Sequence, residues 1–400
     1  MKIIKSNTLI TIGIITLLIF LCYINFYRND LIKSKDINDK FLKNLPILEI
    51  DIFKTNIKTL LNDHEVCDIE IENVSEEYIY GNCIKNKSNS IVISSAGIWK
   101  YNIKSNELFY YKYNEDNRIW SFFLDGKYIY YIELIEDLDN NIFKWNLIKS
   151  DINFNNKTIL DYGILYKPTD TPFFIKNKNT NEILLHTSYD DIEYKEDFQL
   201  IKYISKFKIK IYQNGNFIDL VSKTGNHLEK TGEFSCSSAH NIDIQKDKVI
   251  YCTVSYNQSE KMIELNINDL KEKIIYENNS LNNYNLISFK DVNGHYIVNL
   301  KNKYLMDNSE IINIIEHNKM SPSYSLSSLA YINTITNENC LVINNNIFAI
   351  FSISKNKFLY KLNVNVNFKN VYYLNNDYLV SLDTDDEVYL IKIDNIKKLS

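Results

Sequence analysis

The feature that most constrains the fold of this chain is a sequence repeat with a spacing of about 44 residues. Residues 98–106 read IWKYNIKSN, and residues 142–151 read IFKWNLIKSD, with one residue inserted. In both copies an aromatic residue, a lysine, a second aromatic residue and an asparagine follow one another. Weaker copies occupy residues 262–268 and 388–394. Each copy alternates as a β-strand does and ends on Asn or Asp.

This repeat predicts an all-β protein built as a β-propeller, whose blades are units of four short strands recurring every 40 to 50 residues or so. Seven blades of about 46 residues fill residues 66–400 once the chain has entered the domain. Six blades are the alternative, because the third unit is overlong and the sixth divides in more than one way. The predicted blades are residues 76–114, 118–162, 172–223, 237–279, 284–317, 328–363 and 369–400.

Several separators between the apolar runs are typical of tight hairpin turns. Asp125 and Gly126 lie between two such runs, and Asn293 and Gly294 lie between two others. Both dipeptides accept the positive φ values that a two-residue hairpin requires. Residues 375–377 provide a third turn without glycine. Strands adjacent in sequence are therefore expected to pair antiparallel.

The aromatic content fits such a fold. The 30 Tyr and 20 Phe residues exclude intrinsic disorder, and the 9 Gly and 4 Pro residues are too few for a collagen-like chain. A propeller blade buries both faces against its neighbours, so Tyr fills the space between blades while its hydroxyl reaches water. We therefore expect Trp99, Trp120 and Trp145 to pack between blades rather than to stack on a ligand.

One pair of motifs resembles the bacterial membrane-anchored cell-surface β-propeller proteins. Their blades place the aromatic-Lys-aromatic-Asn strand after a strand of the form Gly-x-Tyr-Ile-Tyr-Tyr, and residues 126–131 here read GKYIYY. The resemblance is clearest in the first two predicted blades. It implies a propeller fold, an extracytoplasmic site of action and a binding role. It carries over no catalytic residue, since no catalytic motif of a propeller enzyme matches this sequence.

The N-terminal region is predicted to anchor the chain in a membrane. Residues 1–5 form a short basic leader, and residues 6–27 contain no charged side chain. A helix over that stretch would be roughly 33 Å long, enough to cross the hydrocarbon core. A cleaved signal peptide and a lipoprotein modified at Cys22 are the alternatives. The bulky Phe20 and Leu21 and the lack of a small-residue cleavage site disfavour both.

Residues 28–65 are charged and mixed, and we expect a stalk with one short helix, marked by the spacing of Phe53, Ile57, Leu60 and Leu61. The Lys and Arg count on the two sides of the anchor favours a cytoplasmic C-terminus. We nevertheless expect an extracytoplasmic domain, because an N-terminal anchor behind a short basic leader is the usual export arrangement.

Composition excludes several functions. The net charge of −5 gives no general reason to bind nucleic acid, and no glycine-rich loop is present to hold a nucleotide phosphate. No Cys or His spacing fits a zinc site, and no nucleophile motif appears. Beyond Cys22, buried unpaired thiols are expected, with two disulfides of equal 16-residue spacing as the alternative. These cysteines are Cys67, Cys83, Cys236, Cys252 and Cys340.

Acidic residues in hairpins provide the patterned signal for a site. Hairpins between the second and third strands of propeller blades project from one face, so their carboxylates would gather into an arc. The candidate binding residues are Asp137, Asp139, Asp190, Asp191, Asp385 and Asp386. Ca²⁺ is the cofactor that such oxygen ligands suit, although no EF-hand register is present, and ordinary solvated turns are the alternative. His240 is a further candidate, as a channel residue, with a structural histidine as the alternative.

The sequence therefore predicts a membrane-anchored, extracytoplasmic module that binds a ligand or another protein, with envelope proteins or glycans as partners. It leans away from an enzyme and identifies no catalytic residue. The alternatives are a propeller-type hydrolase or lyase acting on extracellular polymers and a sensor subunit of a membrane complex. An enzyme requires two carboxylates, or a His and a carboxylate, converging at the channel with perturbed pKa values.

Overall fold

The computed structural model describes most of the chain after residue 34. The described residues are 35–37, 39–62, 68–75, 77–85, 94–137, 142–165, 171–176, 182–194, 200–235, 242–245, 247–255, 259–278, 284–292, 295–302, 310–316, 319–320, 324–326, 331–334, 339–344, 347–355, 357–366, 368–372, 378–383 and 385–397. The predicted anchor, residues 6–27, lies outside them. Within them, no helix combines the length and the apolar character needed to cross a membrane.

The described residues are mostly β-strand. The N-terminal part contains β1 (Lys35–Ile37), α1 (Asp39–Lys43), β2 (Ile47–Leu48), β3 (Ile52–Lys54) and α2 (Ile57–Leu61). The first strand group is β4 (Asp68–Val74), β5 (Tyr78–Lys85), β6 (Ser94–Asn102) and β7 (Leu108–Lys112). The second is β8 (Arg118–Asp125), β9 (Tyr128–Asp137), β10 (Ile142–Asp151) and β11 (Thr158–Leu165). The third is β12 (Phe173–Lys176), β13 (Ile183–Tyr194), β14 (Leu200–Gln213) and β15 (Asn216–Asn226).

The connecting strand β16 (Thr231–Ser235) leads into the second half of the chain. The fourth group is β17 (Ile242–Gln245), β18 (Lys248–Ser255), β19 (Glu260–Asn266) and β20 (Glu272–Asn278). The fifth is β21 (Tyr284–Val292), β22 (His295–Asn302), β23 (Glu310–Glu316), β24 (Lys319–Met320) and β25 (Tyr324–Leu326). The sixth is β26 (Tyr331–Thr334), β27 (Asn339–Asn344), β28 (Ile347–Ser352) and β29 (Lys357–Leu362). The seventh is β30 (Phe368–Tyr372), β31 (Tyr378–Asp383) and β32 (Val388–Lys392), followed by α3 (Asp394–Lys397).

Consecutive strands within the groups pair antiparallel, as the turn signals predict, except that β24 and β25 both pair with β23. The hairpin at Asp125 and Gly126 is confirmed: β8 and β9 pair in register around it, and Gly126 has a φ of +59°. Strands β21 and β22 also pair antiparallel, with Val292 opposite His295. Residues 293–294 and 375–377, the other two predicted turns, lie outside the described residues.

The first strands of successive groups lie side by side in chain order. Strand β4 contacts β8, β8 contacts β12, β12 contacts β17, β17 contacts β21, and β21 contacts β26, while β30 of the last group contacts β4 of the first. The sixth and seventh groups are joined by a shared core, in which the Phe348 and Phe368 rings lie 5.4 Å apart. The order of the groups thus returns to its starting point, as it does in a ring of sheets around an axis. The architecture is therefore propeller-like, and β4, β8 and β12 are among its inner strands.

The N-terminal segment runs along the outer edges of the last three groups. Strand β1 pairs parallel with β25, β2 pairs parallel with β29, and β3 pairs antiparallel with β32. The predicted short helix is confirmed as α2, whose Ile57 and Leu61 are buried in the core that the first and last groups share. Phe53 is not part of that helix, since it lies in β3 and is exposed. The part of the stalk that is described thus contributes β-pairing to the domain edge.

The core lies between neighbouring groups rather than in one central mass. Trp99 is fully buried where the first and last groups meet. Trp145 is fully buried between the second and third groups, and the half-buried Trp120 packs against the same cluster. The prediction that the tryptophans pack between blades is confirmed. Cys83 and Cys340 are buried and form no disulfide, and Cys252 is also buried. Cys67 and Cys236 lie outside the described residues.

The packing between β5 and β6 leaves no space for a side chain at position 81. A Cβ added to Gly81 would lie 2.1 Å from Cζ2 of Trp99 and 2.2 Å from the backbone oxygen of Glu70. Gly81→Ala is therefore expected to destabilise the fold by about 1–3 kcal/mol or more, measured as the free energy of unfolding in urea. The control is Gly126→Asn, because Gly126 has open space around it and Asn accepts a positive φ. A Gly81→Ala variant within about 0.5 kcal/mol of the natural protein would contradict this packing.

Candidate functional site

The predicted acidic residues mostly contact groups in their own hairpins. The carboxylate of Asp137 on β9 lies 2.6 Å from Nζ of Lys144 on β10. The carboxylate of Asp191 on β13 lies 2.5 Å from Nζ of Lys202 on β14. The backbone N–H of Asp385 donates to the carboxylate of Asp383 at 2.9 Å.

Asp139 and His240, two further predicted site residues, lie outside the described residues. Asp386 is described and has a φ of +59°. Among the described residues, no group of three or more His, Cys, Asp or Glu side chains could hold a metal ion. The acidic arc and its Ca²⁺ remain predictions.

Asp190 belongs to a different arrangement, in which a serine lies between an acid and a histidine. The Ser205 hydroxyl donates to the Asp190 carboxylate at 2.6 Å and lies 2.9 Å from Nε2 of His227. A serine nucleophile instead gives its proton to the histidine, and the acid orients the other ring nitrogen. Because Ser205 already donates to Asp190, this trio is not set up for nucleophilic catalysis.

The inner strands bring together a polar cluster that lies apart from the predicted residues. Along β4, Ile69 and Ile71 are buried against the last group, whereas Glu70 and Glu72 are half-buried and make contacts with β8. Successive side chains of a strand point to opposite faces, so one face of β4 is apolar and the other carries two carboxylates. The result is a pair of glutamates at the boundary between the first and second groups.

Glu70 is held by an arginine of the next inner strand. Nη2 of Arg118 lies 2.8 Å and 3.0 Å from the two carboxylate oxygens of Glu70. The guanidinium carbon of Arg118 also lies 4.9 Å from the centre of the Trp120 ring. The Arg118 side chain is largely buried, so these contacts hold a pair of opposite charges in a fixed place.

Glu72 is more strongly desolvated than Glu70. The Ser121 hydroxyl donates to Oε1 of Glu72, and the backbone N–H of Phe122 donates to the same oxygen at 3.3 Å. Burial raises the pKa of Glu72 to about 7, with the Glu70 charge adding to the rise and the Ser121 hydrogen bond opposing it. The backbone N–H of Phe174 on β12 donates to the Ser121 oxygen at 3.1 Å. Glu72 and Ser121 therefore link three inner strands through hydrogen bonds.

A cleft of about 230 Å³ opens beside this cluster, between the first three groups. Phe122 links the two, since its N–H donates to Glu72 while the residue lines the cleft. The cleft walls also include Tyr80, Asp125, Lys176 and Tyr212. We call this space the inner-strand cleft.

The aromatic wall of the inner-strand cleft is held by ring contacts and hydrogen bonds. The Tyr212 hydroxyl donates to the Asp125 carboxylate at 2.5 Å and lies 2.9 Å from the Tyr130 hydroxyl. The Phe123 ring stacks on Tyr130 at 4.9 Å and meets Tyr212 edge-on at 5.1 Å. These contacts fix the wall before any ligand arrives.

The sequence analysis did not identify Glu70 and Glu72 as site residues, because it expected the first blade to begin at residue 76, after β4. That boundary is wrong, since β4 starts at Asp68. Acidic residues at every second position of a strand usually indicate a face exposed to solvent. In β4 the face that carries Glu70 and Glu72 instead packs against β8. The signal was present in the strict Asp-Ile-Glu-Ile-Glu alternation of residues 68–72.

Comparison with known proteins identifies a fold but no sequence family. No family model matches the chain, and no curated protein matches it. The chain is similar to the acylaminoacyl peptidase of Pyrococcus horikoshii, with a TM-score of 0.50 and 10% identity over 82% of this chain and 52% of that one. This chain therefore spans about half the length of that peptidase. The likeness supports the propeller-like fold.

Two solved structures of closer length show weaker likeness. An oligogalacturonate lyase of Vibrio parahaemolyticus has a TM-score of 0.47 and 8% identity, over 87% of this chain and 98% of that one. A putative 6-phosphogluconolactonase of Bacteroides uniformis has a TM-score of 0.45 and 9% identity, over 79% of this chain and 92% of that one.

Proposed function

We propose that this chain is an N-terminally anchored, extracytoplasmic β-propeller of seven blades that acts on extracellular polymers as a hydrolase or lyase. The division of the strands into seven groups supports the blade number, with β16 joining the third and fourth groups into one continuous sheet and β3 completing the last blade at the edge of β32. The uncharged stretch of residues 6–27 supports the anchor and the location at the cell membrane.

The observation that carries the enzymatic proposal is the environment of Glu72. A general acid or base works best when its pKa lies near the operating pH, and burial raises the pKa of Glu72 to about 7. Its neighbour Glu70 is instead paired with Arg118. Two carboxylates in such different environments are the usual arrangement for acid–base work. Glu72 would protonate a leaving oxygen in hydrolysis or remove a proton in elimination.

The experiment is a cleavage assay on a panel of neutral and acidic polysaccharides and cell-wall polymers. Both reactions release new reducing ends, and elimination also produces an unsaturated sugar that absorbs ultraviolet light. We expect Glu72→Gln to lower the rate at least about 100-fold, because Gln cannot transfer a proton. The rate of the natural protein should change with an ionisation near pH 7, following the pKa of Glu72.

The matched control is Glu77→Gln, an exposed glutamate just beyond β4 whose carboxylate lies 3.2 Å from Nζ of Lys104. It should cleave as the natural protein does. Full activity in Glu72→Gln would overturn the proposed role of Glu72.

The second candidate function is a ligand-binding module without chemistry, which the inner-strand cleft favours. Polymers that bind to the natural protein and stay intact over the whole panel would select this candidate.

A further inference from the structure

Lys176, at the end of β12, is a half-buried lysine that lines the inner-strand cleft. Its backbone pairs with Ile183 on β13, but among the described residues its side chain has no ion pair, hydrogen bond or ring contact. Burial alone lowers the pKa of Lys176, with no neighbouring charge contributing. Taking a cation out of water costs free energy unless an anion or hydrogen-bond acceptor compensates. A ligand with a negative group would supply that compensation.

Two other lysines withdrawn from water, the buried Lys210 and the half-buried Lys223, already have such a partner. Nζ of Lys210 donates to the Asp161 carboxylate. Nζ of Lys223 lies 2.9 Å from the Glu272 carboxylate. The half-buried Lys100 and Lys149 instead lie over the rings of Tyr78 and Tyr128. The side chain of Lys176 has neither kind of partner among the described residues.

The one acidic residue among the described walls of the cleft does not neutralise Lys176. The Asp125 carboxylate is exposed and accepts the Tyr212 hydroxyl at 2.5 Å. It forms no ion pair with Lys176 within the part of the chain that the structure describes. The positive charge thus remains available to a bound molecule.

The rest of the cleft suits a single ring. Its volume of about 230 Å³ lies below the roughly 300–1,000 Å³ of pockets that hold drug-sized ligands. The aromatic residues Tyr80, Phe122 and Tyr212 line it, and aromatic faces pack well against the C–H face of a sugar ring. The tyrosine hydroxyls and Asp125 add polar groups that sugar hydroxyls can meet.

We propose that the inner-strand cleft binds a sugar acid, with the sugar carboxylate at the Lys176 ammonium and the ring against the aromatic wall. The sugar acid is either free or one unit of an acidic polysaccharide. The polymeric form rests on the proposed function, which this inference deepens by naming a substrate class.

The test measures binding to the full-length chain by calorimetry with glucuronate, glucose and inorganic phosphate. Glucuronate should bind at least tenfold more tightly than glucose, because glucose lacks the charged group that pairs with Lys176. It should also bind more tightly than phosphate, which has charge but no ring. Equal affinity for glucose and glucuronate, or tighter binding of phosphate, would overturn the proposal. Glucuronate oligosaccharides that bind more tightly than glucuronate identify the polymer as the source, and the reverse order identifies the free sugar acid.

Lys176→Gln should weaken glucuronate binding at least tenfold while leaving the weak glucose binding unchanged. Lys127→Gln is the control, because Lys127 is an exposed lysine in the nearby β8–β9 turn and its Nζ lies over the Tyr128 ring. It should bind glucuronate as the natural protein does. A Lys176→Gln variant with unchanged melting temperature and unchanged glucuronate affinity would overturn the proposal. Lys176→Arg keeps the charge, and binding retained there shows that Lys176→Gln has not merely misfolded.

Failure of this inference differs from failure of the proposed function. Lys176-dependent glucuronate binding without cleavage of any polymer would leave the sugar-acid site standing and remove the enzyme. Glu72-dependent cleavage without glucuronate binding would support the enzyme and overturn the sugar-acid site.

Discussion

The Glu72→Gln variant is expected to be more stable than the natural protein at pH 8, by about 3 kcal/mol, and nearly equal to it at pH 4. Burial raises the pKa of Glu72 from 4.5 to about 7. Below pH 4.5 the carboxyl is protonated in both the folded and the unfolded chain. Between pH 4.5 and 7 the unfolded chain loses the proton and the folded chain keeps it. The free energy of unfolding therefore falls by about 1.4 kcal/mol per pH unit over that range.

Glutamine has the shape of the protonated acid and can still accept the Ser121 hydroxyl, but it does not ionise. Urea unfolding of the full-length chain at pH 4, 6 and 8 checks this expectation. Glu77→Gln, with its largely exposed side chain, should follow the natural protein at every pH. A stability difference between Glu72→Gln and the natural protein that stays constant with pH would show that Glu72 titrates as an ordinary carboxyl.

The loss of stability that the ionised Glu72 causes at neutral pH is relevant to function. A glutamine at position 72 would satisfy the same hydrogen bonds without the penalty of a desolvated acid. Local choices that lower stability without a packing gain tend to occur at functional sites. The pKa of Glu72 and its place beside the inner-strand cleft thus point in the same direction.

The fold could largely be predicted from the sequence because its signals are local. Hairpins such as the one at Gly126 depend on backbone conformation at two residues, and alternation within a strand shows which faces are apolar. The edge pairing of β1, β2 and β3 could not be predicted in this way. Partners such as β32 lie more than 300 residues away in sequence, and strands of two or three residues leave no periodic pattern.

The site was harder to predict because it depends on which inner strands become neighbours. Glu72 meets Ser121 some 50 positions along the chain, and nothing in either local sequence marks that contact. Asp137 and Asp191 carried a visible compositional signal, yet each pairs with a lysine on the adjacent strand. Acidic residues are common in hairpins because they favour turns and solubility, so their presence there does not by itself indicate a ligand-binding site.

The second large effect is a loss of stability in acid caused by His186. Its ring is buried, stacks on Phe173 at 4.9 Å and lies 2.9 Å through Nε2 from the Ser235 hydroxyl. Burial lowers the pKa of His186 from 6.5 to about 3. Its contribution is fully present above pH 6.5 and is lost as the pH falls toward 3, by about 5 kcal/mol in total.

The measurement compares the change in unfolding free energy between pH 7 and pH 4 within each protein. The natural protein should lose about 3 kcal/mol more over this interval than His186→Gln, which cannot bind a proton. His186→Phe, which keeps the aromatic packing, should behave like His186→Gln. Because each variant is its own reference, a general loss of stability does not affect the comparison. An equal loss in all three proteins would mean that His186 takes up a proton in the folded state.

Glu72 and His186 act with opposite signs between pH 4.5 and 6.5, which gives the sharpest form of both predictions. Rising pH lowers the Glu72 contribution and raises the His186 contribution, so the two slopes cancel in the natural protein. Glu72→Gln should expose a rise in stability with pH, and His186→Gln should expose a fall. The two residues lie on different strand groups, so their effects should add. In the double variant the free energy of unfolding should again be nearly constant between pH 4.5 and 6.5. At alkaline pH the double variant should be more stable than His186→Gln alone. A free energy of unfolding that changes with pH in the double variant would show that one of the two groups is not desolvated as described.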